Sequence, residues 1–401
     1  MSAAIHATLA AVRRSSRTAA VSHGPQRAGI DPLTRLSPAQ SPVHPKGWTV
    51  LESVRALAAD WDRSNGEESF PADRVAALHE AGALAEFIDV STPARTDALV
   101  DVLRAIGGAD LSLGRVFEGH VNAAQLLSAY GDDAQRAALA DDLAAGRVFG
   151  VWNTEPTPGL SIRQSAPGGW VLDGRKSFAT GAGHLDRILV TARDATGGKQ
   201  LVLVPIAGET ARADNSGWQV RGMRGTCSGL FDFSGMPIGP EGMIGAPDVY
   251  ETEPRFSAGA WRFTAVQLGA IEALVRHLRD HLVATGKGDD AIQRARFATC
   301  LTETRSAGLW VRRAAHLAET QAAEAIPFVL MTRGIVEEAG LKTMEAAARS
   351  VGTASFFAAS RIDRITRDLG LYLRQPVPDL ARDRAAAAWL EDDCWGDDRW
   401  W

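Results

Sequence analysis

The sequence predicts an α+β fold in three parts: an N-terminal α-helical domain, a central β-barrel or sandwich domain and a C-terminal four-helix bundle. Two changes of texture along the 401 residues predict it. Ala/Leu-rich stretches with apolar residues three and four apart give way near Val148 to short β-branched runs separated by Gly, Pro and Asp, and helical periodicity returns after Pro254. Hydrophobic residues make up 45% of the chain, enough to bury more than one core.

Taken in order, residues 1–30 contain no acid and carry Arg13, Arg14, Arg17 and Arg27 among alanines and serines. That composition predicts a disordered extension over residues 1–46, with a targeting segment as the alternative. Residues 47–147 form the first helical domain: Leu51, Val54 and Ala58 share a helix face, and Pro71, Ser91-Thr92-Pro93 and Gly131-Asp132-Asp133 mark helix starts, which fits four or five helices. Residues 148–247 hold at least six short strands. Residues 248–390 form the bundle, with helices predicted over 263–283, 291–323, 328–350 and 361–373. Residues 391–401 mix acids with Trp395, Trp400 and Trp401; they read as a disordered acidic tail, or as an aromatic segment that docks on a partner subunit.

Several function classes are disfavoured. A balance of 43 basic and 48 acidic residues gives a net charge of -5, so no global field draws the chain to nucleic acid or to an anionic membrane, and a small-molecule substrate is expected. The three cysteines, Cys227, Cys300 and Cys394, show neither CxxC nor His/Cys ligand spacing, so no metal site is predicted. No apolar run approaches the roughly 20 residues that span a bilayer, and a soluble, cytoplasmic protein is expected. Neither GxGxxG nor GxxxxGK[ST] occurs, which argues against a nicotinamide or nucleoside-triphosphate enzyme.

The β-region carries sharper signals. The first is Val-Trp-Asn-Thr-Glu-Pro-Thr-Pro-Gly at 151–159, an apolar strand running into a turn. The second is Leu-Asp-Gly-Arg-Lys-Ser-Phe-Ala-Thr-Gly-Ala at 172–182, where Asp-Gly predicts a hairpin and strand alternation places Phe178 and Thr180 on one face. The third, residues 222–237, opens on Gly-Met-Arg and ends on Met-Pro. Together with Arg-Ile-Thr-Arg-Asp-Leu at 364–369, these segments resemble the acyl-CoA dehydrogenase family over roughly residues 50–375.

The resemblance implies a homodimeric or homotetrameric flavoprotein that binds FAD and desaturates the Cα–Cβ bond of an acyl-CoA. It implies that Trp152, Asn153 and Thr154 address the pyrimidine end of the flavin. Phe178 would lie against the isoalloxazine, with the Thr180 hydroxyl toward N5. Arg349 and Gly352 would approach the adenine end.

The chain departs from the family where the chemistry is most demanding. Family dehydrogenases remove an α-proton with a Glu. Here the two positions that resemblance assigns to that Glu hold Pro376 and Gly259. Nearby Glu251 and Glu253 read as solvated acids. The diphosphate contacts are also thinned: residues 282–286 are Leu-Val-Ala-Thr-Gly, and Leu160 stands where the family has Ser. His120 is a candidate acid, base or donor near the flavin, with a satisfied structural histidine as the alternative. Two further readings therefore stand beside desaturation. One is a monooxygenase of the same fold that takes FMN or another reduced flavin as co-substrate; the other is a non-catalytic subunit that pairs with a complete homologue.

Overall fold

The computed structural model describes residues 46–63, 68–166, 168–396 and 398. The predicted extension therefore lies outside the described residues, Lys46 excepted. In the first helical region the chain forms α1 (Lys46–Asp62), α2 (Ala72–Glu80), α3 (Ala83–Glu86), α4 (Pro93–Ala109), α5 (Leu111–Tyr130) and α6 (Asp133–Ala144). Helix starts sit on the expected punctuation. The Thr92 side chain accepts from the Arg95 N–H with Pro93 at the first helical position, and Asp132 forms a capping box with Gln135. The sixth helix beyond the four or five expected is α3, a single turn behind Gly82 (φ 76°), too short for periodicity to reveal.

The central region builds a seven-stranded sheet in the order β10-β6-β5-β2-β3-β9, with β1 (Phe149–Trp152) pairing parallel to β5 (Arg187–Arg193). The path runs through β2 (Ser161–Ala166), β3 (Gly169–Asp173), β6 (Lys199–Pro205), β9 (Met236–Ile238) and β10 (Met243–Ile244). A second sheet, β4-β8-β7, joins β4 (Arg175–Ala179), β8 (Gly229–Asp232) and β7 (Ala213–Asp214). Asp173-Gly174 is not the expected hairpin. β3 belongs to the large sheet and β4 to the small one, so Gly174 (φ 119°) turns a corner between sheets. A Cβ there would stand 2.5 Å from the Gly159 carbonyl oxygen, so no other residue fits.

The C-terminal region follows a short α7 (Arg255–Ala258) with three long helices, α8 (Trp261–Ala284), α9 (Ala291–Glu319) and α10 (Ala325–Val351), then α11 (Arg361–Tyr372) and α12 (Pro378–Glu391). Short turns link the long helices, so they pack as neighbours. None of the described helices is long and apolar enough to cross a membrane. The tail differs from the disordered expectation as far as residue 396. Trp395 lies 4.9 Å from Trp310, 5.3 Å from Phe328 and 6.2 Å from Trp389, ring centre to ring centre. The physical reason is aromatic packing: the Trp395 indole finds three aromatic partners on the chain's own bundle. Trp400 and Trp401 lie outside the described residues.

The first and last helical regions meet through α4 and α8, and small residues make the contact possible. A Cβ on Gly107 would sit 2.1 Å from the Val266 carbonyl oxygen, and one on Gly269 would sit 2.0 Å from that of Arg104. The backbones therefore touch, and Arg104 closes the seam with both carboxylate oxygens of Glu272, at 3.1 and 2.6 Å. Gly269→Ala should force the helices apart and lower the unfolding free energy by about 3 kcal/mol in a urea melt. Gly119→Ala on α5, where a Cβ meets nothing within 4 Å, should instead raise it by roughly 0.5–1 kcal/mol.

Candidate functional site

The candidate site forms where the segment after β1, the end of β4 and the loop before β8 converge. Trp152, at the end of β1, is buried against Phe231 and Phe233, and its indole N–H donates to the Thr180 carbonyl at 2.9 Å. It acts as a strut behind Thr180 and does not present its own ring. Asn153 is half-buried; its Oδ1 accepts from the Thr191 hydroxyl at 2.6 Å. Thr154 is exposed, and its carbonyl accepts from the Ser177 N–H.

Lys176, quoted in the sequence motif without a role, organises this segment. Its alternation on β4 points it inward, and its side chain is fully buried. The ammonium donates to Glu155 Oε2 (2.6 Å), the Asn153 carbonyl (3.2 Å) and Thr191 Oγ1 (3.2 Å), so all three of its protons are used. Burial pulls its pKa below the usual lysine range, with Glu155 opposing. An inward-facing lysine between a Thr-Glu turn and a β-branched strand is the signal that could have found it.

Strand alternation does not put Phe178 and Thr180 on one face. The β4–β8 register slips between Lys176 and Ala179, and Phe178 takes a left-handed backbone (φ 51°) that L-residues rarely adopt. The bulge turns the Phe178 ring outward, 62% exposed and edge-on to Trp218 at 6.3 Å, while Thr180 turns inward, 9% exposed. A strained backbone that exposes an aromatic ring is a feature of ligand platforms.

The loop over residues 222–228 is equally strained, with Met223 (φ 58°) and Cys227 (φ 44°) in left-handed conformations. It is held by α11. The Met223 N–H donates to Asp368 Oδ1 at 2.6 Å, Arg367 donates to the Arg221 carbonyl at 2.8 Å, and a Cβ on Gly222 would meet the Arg367 carbonyl oxygen at 2.1 Å. Arg367 and Asp368 are thus a clamp on this loop. Burial raises the Asp368 pKa. The clamped loop presents Thr226 and Ser228, and its backbone ties to the Thr180 turn through Gly181 N–H to Thr226 O at 2.7 Å. A cavity of about 190 Å³ opens beside the clamp. Its lining sets four arginines, Arg221, Arg224, Arg364 and Arg367, against two carboxylates, Glu68 and Asp368, so positive charge is in excess.

The other expected residues lie apart from this cluster. Arg349 pairs with Glu345 one turn back on α10, and Gly352 (φ 77°) ends that helix. His120 is fully buried between α5, α3 and β1. Nε2 bonds the Leu84 carbonyl at 2.8 Å, so it must carry the proton, and Nδ1 accepts from the Phe149 N–H at 3.1 Å. With both ring nitrogens engaged, His120 is a structural tie and offers nothing to a ligand. Neither alternative carboxylate is free: Glu251 pairs with Lys199, and Glu253 accepts from the Ser257 N–H at 2.9 Å. Gly259 immediately follows α7, and the Pro376 carbonyl accepts from Arg333.

Burial pushes the His120 pKa down from 6.5 to about 4. Between those values the unfolded chain binds a proton that the folded one refuses. The stabilisation is therefore complete above pH 6.5 and lost as pH falls toward 4, by roughly 3 kcal/mol. Urea melts between pH 7 and 4.5 should show this decline, and His120→Gln should flatten it. Lys176→Met strips Glu155 of its partner; because Glu155 is 24% exposed, the loss should be about 2–3 kcal/mol rather than that of a fully buried pair.

No protein-family model matches the chain. Dibenzothiophene monooxygenase of Rhodococcus erythropolis is 28% identical over 212 residues, which are 50% of this chain and 51% of that protein. The chain thus spans about half the length of the curated relatives it first matches. The mitochondrial isobutyryl-CoA dehydrogenase of Dictyostelium discoideum is 22% identical over 347 residues, 80% of this chain and 81% of that one. Among solved structures, FMN-bound TdsC from Paenibacillus sp. A11-2 superposes with a TM-score of 0.74 at 19% identity, covering 85% of this chain and 96% of that one. The order of helical region, central sheets and helical bundle, shared with these neighbours, is the acyl-CoA dehydrogenase-like fold.

Proposed function

We propose that this protein is a flavin-dependent monooxygenase of the acyl-CoA dehydrogenase-like fold, taking reduced flavin from a separate reductase and oxygenating a small organic substrate. The observation that carries the proposal is the missing base. Gly259 and Pro376 hold the two positions where a dehydrogenase of this plan needs a carboxylate, and Glu251 and Glu253 are engaged elsewhere. Abstraction of an α-proton has no candidate there. The partial likeness to dibenzothiophene monooxygenases supports the same reading.

The residues present fit the isoalloxazine end of a flavin. Phe178 offers an exposed ring beside Trp218, and Thr180 supplies a hydroxyl at the edge of the site. Asn153 is held by Lys176 and Thr191, and Thr154, held through its carbonyl by the Ser177 N–H, would offer its exposed side chain to polar ring atoms. Bound there, a reduced flavin supplies the two electrons that activate oxygen. The protein's part is positioning: Trp152 props Thr180, Lys176 fixes residues 153–155, and the clamp from α11 keeps the 222–228 loop closed on the site. Arg349 and Gly352 are left for the phosphate-bearing end of the cofactor. A homodimer or homotetramer is the assembly this reading assumes.

The second reading, desaturation of an acyl-CoA, is favoured by the dehydrogenase likeness over 80% of the chain. One pair of measurements separates the two. With NADH, FMN and a flavin reductase, dibenzothiophene or indole as probe should raise oxygen consumption above the reductase background, and label from ¹⁸O₂ should enter the product. Anaerobic bleaching of the bound flavin by acyl-CoAs of any chain length would overturn the proposal.

A further inference from the structure

Three buried hydroxyls run in line from the candidate flavin edge. Thr180 Oγ1 lies 3.2 Å from Ser228 Oγ, Ser228 Oγ lies 2.8 Å from Thr226 Oγ1, and Thr226 Oγ1 lies 2.8 Å from the Met223 carbonyl oxygen. Thr180, Ser228 and Thr226 are 9%, 7% and 1% exposed. The direction of the chain follows from counting protons. A carbonyl has none to give, so Thr226 must donate to Met223. Each hydroxyl carries a single proton, so Ser228 must then donate to Thr226, and Thr180 to Ser228.

The far end cannot reverse. The Met223 carbonyl, which can only accept, also takes the Trp218 indole N–H and the Thr226 backbone N–H, each at 3.1 Å, and the Met223 N–H is held by Asp368. The near end is fixed too, because Trp152 holds the Thr180 carbonyl. Thr180 therefore spends its only proton inward and offers lone pairs alone to whatever packs against it.

Resting on the flavin reading above, we infer that the Thr180–Ser228–Thr226 chain makes this site select reduced over oxidised flavin. A reduced flavin carries an N–H at N5 and can donate to Thr180 Oγ1; an oxidised flavin has a bare lone pair there and meets another lone pair. Ser228 and Thr226 are positioning residues that act through Thr180. Selection of this kind suits a protein that receives its flavin already reduced.

The test compares dissociation constants of oxidised FMN with those of dithionite-reduced FMN under anaerobic conditions, with FAD in parallel. Wild-type protein should bind the reduced form more tightly. Ser228→Ala leaves the Thr180 proton without an acceptor, and Thr226→Val frees the Ser228 proton to turn on Thr180; both let Thr180 donate outward. The preference should fall about tenfold in each, equivalent to roughly 1.4 kcal/mol and to a midpoint potential of the bound flavin lower by about 30 mV. Thr226→Ser keeps the chain and should keep the wild-type preference. The inference is overturned if wild-type protein binds oxidised flavin as tightly as reduced, a measurement that needs no variant, or if the variants retain the wild-type ratio. If wild-type protein binds neither form of either flavin, the flavin reading itself fails and this inference goes with it.

Discussion

A buried ammonium holds the candidate site in place. Lys176 is taken wholly out of water, and its charge is tolerable only because Glu155, Asn153 and Thr191 absorb its three protons. Those partners come from the turn after β1 and from β5, so the lysine joins the two sheets at the point where they separate. Glu155 folds back to reach it, and the space it occupies is available because Gly159 has no side chain: a Cβ there would lie 2.3 Å from the carboxylate. Asn153 and Thr154 are thus set by a charge behind them, which leaves their outer face for a ligand.

Around that anchor the molecule places strain where it has partners to hold it. Phe178, Met223 and Cys227 all adopt left-handed backbone that costs of order 1–3 kcal/mol each. Phe178 is held by the β4–β8 pairing on either side, Met223 by Asp368 and Trp218, and Cys227 by its carbonyl's bond to Ala182. The result is a site whose two walls are tied to each other and to α11. Any movement of α11 would be felt at Thr226 and Ser228, and through them at Thr180.

The fold and the chemistry part company in this chain. The helical regions meet along a glycine-lined seam, while at the end of β4 the Phe178 ring turns outward and the Thr180 hydroxyl inward. Positions 259 and 376 hold Gly and Pro, so neither supplies a carboxylate for proton abstraction. On the proposed reading, a flavin that arrives reduced needs neither an acyl-CoA base nor tight permanent binding.

The amino-acid sequence determined the order of helical and β regions, the helix starts at Thr92 and Asp132, the motifs that carry residues 152–154 and 178–180, and the absence of a carboxylate at positions 259 and 376. These are legible because capping, periodicity and motif spacing are local. Other features were decided by tertiary structure alone. His120 is a tie because β1 and α3 claim both its nitrogens. Asp368 is a clamp because it meets Met223, 145 residues away, and Thr180 is an acceptor because of Ser228, 48 residues away. A hydroxyl's direction depends on which acceptor terminates its chain, and no local pattern records that. The bulge at Phe178 belongs here too, since pairing with β8 imposes it and strand alternation predicts the opposite.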